Sequence, residues 1–430
     1  MVPRRSAVVV TWTTALVAAG AAWVGVGPGR EATAQPAPAC NMPTTDFCNA
    51  VVQPPANWHG HVFELSQAYP TAAPNDAQPW AAFNPRTQPD QYIKAVLAHF
   101  YEGNLRPDVE MCFEPKLNTV RGWYNAPWQD FGTNGREPIH GLTRERVSRP
   151  FELDPHQSRS WNNYAVGFYN APGAVTIGRV WADRGRPNPA FGSMPNGTVA
   201  AKLLFTTAPV SEVPYLQGAP TWNAYVYADA NDPAPGPTSP RAVLPVRLLQ
   251  IDIAVKDPQV ADVTGWVFGT FVYGGGPGGQ PGAGWTNVAP VGVMWGNDPG
   301  YPGSGPLIQT SLNPAVHMPH VGFQGRLNGP VDNAASSCLS CHATAEAPAG
   351  TMVPPHGADP APWFQNLRSG TPFDPGRQAL DYSLQVSVGL SNFAAAQALA
   401  RSPSPAARHN LLMQMIRMDA RPPRDGGAIH

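Results

Sequence analysis

Proline and glycine punctuate this chain too densely for a helical bundle: 51 prolines and 42 glycines stand among 430 residues. Each proline fixes φ and removes a backbone donor, so the chain reads as short strands joined by long ordered loops. Between 161 and 273 the β-branched and aromatic residues gather in runs separated by turn residues, at 164–169, 175–181, 198–206, 222–227, 244–255 and 265–273. That spacing predicts an antiparallel sheet of five or six strands. The expected class is therefore mainly β (α+β). A Gly/Pro-rich loop at 274–300 leads into a further strand at 291–295, and helices are expected at 92–101, where Gly103-Asn104 gives a stop signal, and at 378–401 and 406–418. Pro403 separates the last two.

The first residues have the make-up of an address label. Arg4 and Arg5 precede an apolar run from 7 to 26, and Ala32-Thr33-Ala34 offers small residues where a signal peptidase needs them. The mature chain is expected to start near Gln35, exported to the periplasm. A run of this length is close to the roughly 20 residues that span a bilayer, but its Thr, Gly and Ala content favours cleavage over retention as an anchor. No other stretch could span a membrane. With 28 Lys+Arg against 29 Asp+Glu and no basic block, neither nucleic acid nor an anionic membrane surface is an expected partner. Small molecules and other proteins remain.

Five cysteines are present. Two fall in Ser337-Cys338-Leu339-Ser340-Cys341-His342, the C-x-x-C-H pattern in which two thiols can reach the two vinyl groups of one haem while the adjacent His binds its iron. One covalent haem c is the expected cofactor, with His342 as proximal ligand. A zinc site would want a second Cys pair of similar spacing, and a thioredoxin-like pair a strand opening into a helix; Asp332-Asn333-Ala334-Ala335-Ser336 does not look like that. Cys40, Cys48 and Cys112 are left. Cys40 and Cys48 could close a small loop, or Cys112 could pair with either. For the sixth iron position the sequence offers His317, Met318, His320 and Met352, with Met413, Met415 and Met418 further on. Most methionines are simply packing residues.

Taken in order, Tyr169-Asn170-Ala171-Pro172, Asn196 to Lys202, Ile253 to Asp257, Thr264 to Phe268 and Cys338 to His342 resemble the cytochrome P-460 family, which includes the cytochromes c'-beta. The resemblance covers about 160–273 and 336–353. It implies a compact, mainly β haem protein with the attachment motif near its C-terminal end. It also implies roles for Lys202, where hydroxylamine-oxidising members carry a lysine joined to the haem, and for Asp252, where they hold a distal carboxylate, Glu rather than Asp. Against these stand plain alternatives, a strand lysine with its amine in water and a solvent-facing aspartate opposite Ile251 and Ile253. The chain departs from the family in lacking an Arg on the strand before Tyr169, in the residues after His342, and in a long insertion before Cys338.

The expected organisation is a signal peptide (1–34), a Pro/Trp-rich region (35–150), a β-rich haem domain (151–360) with an insertion at 274–335, and a helical extension (361–430). The leading expectation is an electron-transfer cytochrome with a redox partner protein. Its rivals are an oxidoreductase acting on a small nitrogen compound and a protein that binds a diatomic gas without turnover. Elsewhere, His59 and His61 alternate, so on a strand they would share a face for a metal or second haem. The charged cluster 136–146 reads as a salt-bridged surface or a docking edge. No Ser/His/Asp signature, Walker loop or dinucleotide fingerprint appears.

Overall fold

Where β-branched and aromatic residues alternate, the chain forms strands, and the runs at 164–169, 198–206, 222–227, 244–255 and 265–273 are all strands in the computed structural model. It describes residues 54–129, 136–235, 239–355, 357–402 and 404. The expected signal segment, Cys40, Cys48, the expected helix at 406–418 and Met413, Met415 and Met418 lie outside the described residues.

In chain order the elements are α1 (Pro89–Tyr101), β1 (Trp123–Tyr124), β2 (Thr143–Arg144), β3 (Asn163–Asn170), α2 (Ala171–Val180), β4 (Val199–Thr206), β5 (Thr221–Tyr227) and β6 (Arg241–Lys256). There follow β7 (Trp266–Tyr273), β8 (Val288–Met294), β9 (Thr310–Leu312), α3 (Cys338–His342), β10 (Glu346–Ala347), β11 (Gln378–Ala379) and α4 (Leu384–Arg401). Nine strands make one antiparallel sheet in the order β1-β3-β4-β6-β7-β8-β9, with β2 also on β3 and β5 also on β6. The class is thus mainly β with a few helices. The sheet exceeds the expected five or six strands because β1, β2 and β9, of two or three residues each, are too short to leave a periodic signal. Sixteen-residue β6 spans the sheet's two halves, pairing with β5 through residues 241–247 and with β4 and β7 further on.

Two expectations are corrected. Residues 175–181 were expected as a strand, but 171–180 form α2. Asn170 caps it, its side chain accepting from Gly173 N at 3.4 Å, and Pro172 suits the first turn. The helix is buried on nearly every side, so it shows β-branched residues without the polar stripe that marks a surface helix. The last helix begins at Leu384 rather than 378, because β11 and a tight turn intervene and Ser383 caps the start by accepting from Val386 N at 3.2 Å.

Strand alternation divides the core into two layers. On one face Val199, Ala201, Leu203, Ile251, Ile253, Val255, Val267 and Phe271 pack with α1 and with Phe63, Leu65 and Trp80 from the N-terminal region. On the other, Tyr169, Ala254, Trp266, Phe268 and Met294 pack with Leu339 of α3, with Leu380 and Tyr382, and with α4. The Cys338–His342 turn therefore lies on the face opposite α1. Among the described residues no helix is long and apolar enough to cross a membrane.

Candidate functional site

The motif folds as a single helical turn because its flanking serines close it. Ser337 accepts from Ser340 N at 3.0 Å and Ser340 Oγ accepts from Ser337 N at 2.8 Å, a reciprocal capping box. The segment 274–335 then holds the cap: Ser337 Oγ donates to Asn297 Oδ1 at 2.9 Å, and Cys338 N donates to Leu327 O at 3.0 Å. Leu339 is fully buried, while Cys338, Cys341 and His342 stay half-buried with both thiols free. Burial pushes the Cys341 thiol up to about 11, and Cys338 is raised by burial and then by the carboxylates of Asp332 and Asp252.

His342 Nδ1 lies 2.8 Å from the backbone carbonyl of Tyr382. A carbonyl only accepts, so Nδ1 carries the proton and the lone pair sits on Nε2. Burial lowers the imidazole to about 4, which keeps it neutral, and the Phe268 ring lies 4.7 Å away.

Facing the motif, the sheet register sets out ordered rows. Gly167, Lys202, Asp252, Thr270 and Gly292 are successive partners across β3, β4, β6, β7 and β8. Beside them run Tyr169, Ala200, Ala254, Phe268 and Met294, and beyond those Lys256 pairs with Trp266. Lys202 Nζ is 3.0 Å from Asp252 Oδ2, and Thr270 Oγ1 donates to Asp252 Oδ1 at 2.9 Å. Thr270 Oγ1 is also 3.9 Å from Cys338 Sγ, which donates to Asn328 Oδ1 at 3.7 Å. Gln250 Nε2 joins Asp252 (2.7 Å) to Asp332 Oδ2 (3.3 Å), and Asp332 also accepts from Gly329 N at 2.9 Å. A Cβ at Gly329 would meet the Gln250 amide and the Asp332 carboxylate.

These charges set one another. Burial raises Asp252 and Lys202 opposes it; burial raises Asp332 too, but Lys202, Gly329 N and Arg146 prevail and hold it low. For Lys202, burial works against the ammonium, and Asp252, Asp332 and Glu145 outweigh it, leaving it protonated. The side chains of Lys202 and Asp252 are 27% and 22% exposed, so solvent softens these effects.

The structure thus brings Lys202 and Asp252 onto the motif's face and pairs them with each other. It places the four described sixth-ligand candidates differently. His317 and Met318 line a shallow pocket with Phe151, Pro155, Pro277 and Pro319. His320 is about 4.0 Å from Glu152, and burial lowers its pKa. Met352 is 47% exposed.

Two other expectations change. His59 and His61 are not on a strand, and His61 Nε2 pairs with Glu114 Oε2 at 2.5 Å. Arg136, Glu137 and His140 are buried rather than at a surface or docking edge. Glu137 accepts from the backbone of Ile139, His140, Leu142 and Tyr225, which makes it a brace for a loop, and burial raises it to about 7. Cys112 is exposed and free.

Sequence reasoning missed Thr270, Gln250, Asp332 and Tyr382. Gln250 was within reach, since it stands two residues from Asp252 and shares its face. The others come from distant segments. Among the described residues no three or more His, Cys, Asp or Glu side chains gather as a metal-ion site. No family model, curated protein or solved structure matches the chain.

Proposed function

We propose that the chain is an exported mono-haem c-type cytochrome that takes part in electron transfer with a partner protein. Cys338 and Cys341 hold the haem covalently and His342 is its proximal ligand. One observation carries this reading: the hydrogen bond from His342 Nδ1 to Tyr382 O leaves the Nε2 lone pair free beside two free thiols on one capped turn. That donor set fits the group, because a neutral, oriented imidazole is what the iron requires. When bound, the haem supplies one-electron chemistry. The chain's own residues orient the ring, line one side with Phe268 and place the Lys202–Asp252 pair on the facing sheet.

A second reading, the cytochrome P-460-like oxidoreductase acting on hydroxylamine or another small nitrogen compound, is favoured by the raised carboxyl of Asp252 beside Thr270, whose hydroxyl approaches Cys338. Such a carboxylate can accept protons from a bound substrate.

Intact mass after denaturation tests the common part: one covalent haem is expected, and Cys338→Ser with Cys341→Ser should abolish it. Electron paramagnetic resonance then separates the readings. A low-spin iron with a Met or His sixth ligand supports electron transfer. A high-spin, five-coordinate iron overturns it in favour of substrate or diatomic gas binding.

A further inference from the structure

Two consecutive residues before α4 lie in the left-handed backbone region, Asp381 at φ +50° and Tyr382 at φ +65°. Neither is glycine, and each such residue is sterically costly, persisting only where its surroundings over-determine it. Asp381 supplies those surroundings. Its Oδ1 accepts from Trp266 Nε1 at 3.0 Å and from Ser369 Oγ at 2.6 Å. Its Oδ2 accepts from Met194 N at 2.8 Å and is ion-paired with Lys256. The carboxylate is buried, and its partners come from β6, β7 and two separate loops. Tyr382 is tied again where its hydroxyl donates to Leu367 O at 2.5 Å. The outcome of this strained, cross-linked turn is one carbonyl, that of Tyr382, aimed at His342 Nδ1.

We infer that Asp381, anchored by Lys256, is a positioning residue for His342: it holds the Tyr382 carbonyl where it accepts the Nδ1 proton and so sets how strongly Nε2 donates. The inference rests on the haem reading and names the part of the chain that tunes the ligand. A backbone acceptor on Nδ1 makes the imidazole more basic, and such outer partners are what fix a ligating histidine's tautomer and direction. Released from Asp381, the turn relaxes toward negative φ and the carbonyl leaves the ring. A weaker donor favours the reduced iron, so the midpoint potential rises.

The test uses the haem-loaded protein and three variants, Asp381→Ala, Lys256→Met and Asp381→Asn. Asp381→Ala should keep covalent haem by intact mass, shift the midpoint potential upward and change the g-values of the ferric spectrum. Lys256→Met should do the same more weakly. Asp381→Asn, whose single amide oxygen can still accept from Trp266 and Ser369 but which sets an NH2 against Met194 N and Lys256, should recover only part of the parent potential. A merely structural role would lower the melting temperature and leave the potential in place, and that result in the two folded variants overturns the inference. If Asp381→Ala does not fold, Lys256→Met decides on the same readout. If the parent carries no covalent haem, the functional reading fails. The inference is then decided by the His342 ring nitrogens in 15N NMR: an Nδ1-protonated tautomer lost in Lys256→Met upholds the clamp, and an unchanged tautomer overturns it.

Discussion

Lys202 and Asp252 face each other across β4 and β6 at 3.0 Å, and each determines the other's charge. Burial raises the Asp252 carboxyl while the Lys202 ammonium holds it down, so Lys202→Met should raise Asp252 further. Carboxyl titration by 13C NMR reads this directly; an unmoved Asp252 would mean that the pair is screened. Buried histidines govern acid stability, His99 among them. His99 lies between the Trp80 and Trp123 rings, and its pKa is lowered to about 4 by burial and then by Arg121, with Asp76 in opposition. The unfolded chain takes up this proton near 6.5 and the folded chain refuses it until about 4. Stability therefore falls as pH drops from about 6.5 through about 4. His99→Phe should flatten this acid limb by about 3 kcal/mol, as read from urea midpoints across that range. His140, lowered to about 3 by burial, and His342, lowered to about 4, would keep the rest of the slope.

At the scale of elements, the segment 274–335 mounts the Cys338–His342 turn. Arg326 is buried and donates to Asn297 O (2.6 Å) and Asp298 O (2.9 Å), with its guanidinium 4.6 Å from the Phe364 ring. Asn297 in turn holds Ser337, the cap of α3. Arg326→Ala strands those carbonyls and should cost about 3 kcal/mol. It should also speed alkylation of Cys338 and Cys341; unchanged alkylation would mean α3 holds its place without the segment 274–335. The sequence made the motif legible because its chemistry is contiguous, and the long strands legible because their alternation is. It also showed that Asp252 faces away from Ile251 and Ile253. Thr270 and Asp332 could not be read, since their approach to Asp252 depends on sheet register and on a loop far along the chain. Asp381 was hidden more deeply. Its position was expected inside a helix, and the turn that gives it meaning is held by residues from four other parts of the chain.

For the molecule as a whole, the sheet is the layer common to both cores, and its period of two keeps them apart. In β7 the alternation is explicit: Phe268 and Thr270 face the motif, while Gly269 between them faces α1. A slip of one residue would turn Lys202, Asp252 and Thr270 into the apolar layer under α1, so the packing of α1 is part of what fixes the site's register. Gly269 is where this dependence can be measured. A Cβ there would collide with Ile93 of α1, and in a close-packed interior such overfilling costs about 1–3 kcal/mol. Gly269→Val should therefore lower the unfolding midpoint, and Ile93→Ala in the same chain should restore part of the loss by making room. The double-mutant cycle should show a favourable coupling well above the additivity error of about 0.5 kcal/mol. Because the introduced side chain would point away from the motif, amide exchange should rise in α1 and hold steady at 338–342. Equal exchange on both faces would show instead that the two layers open as one, and that α1 guards the Cys338–His342 turn through the sheet.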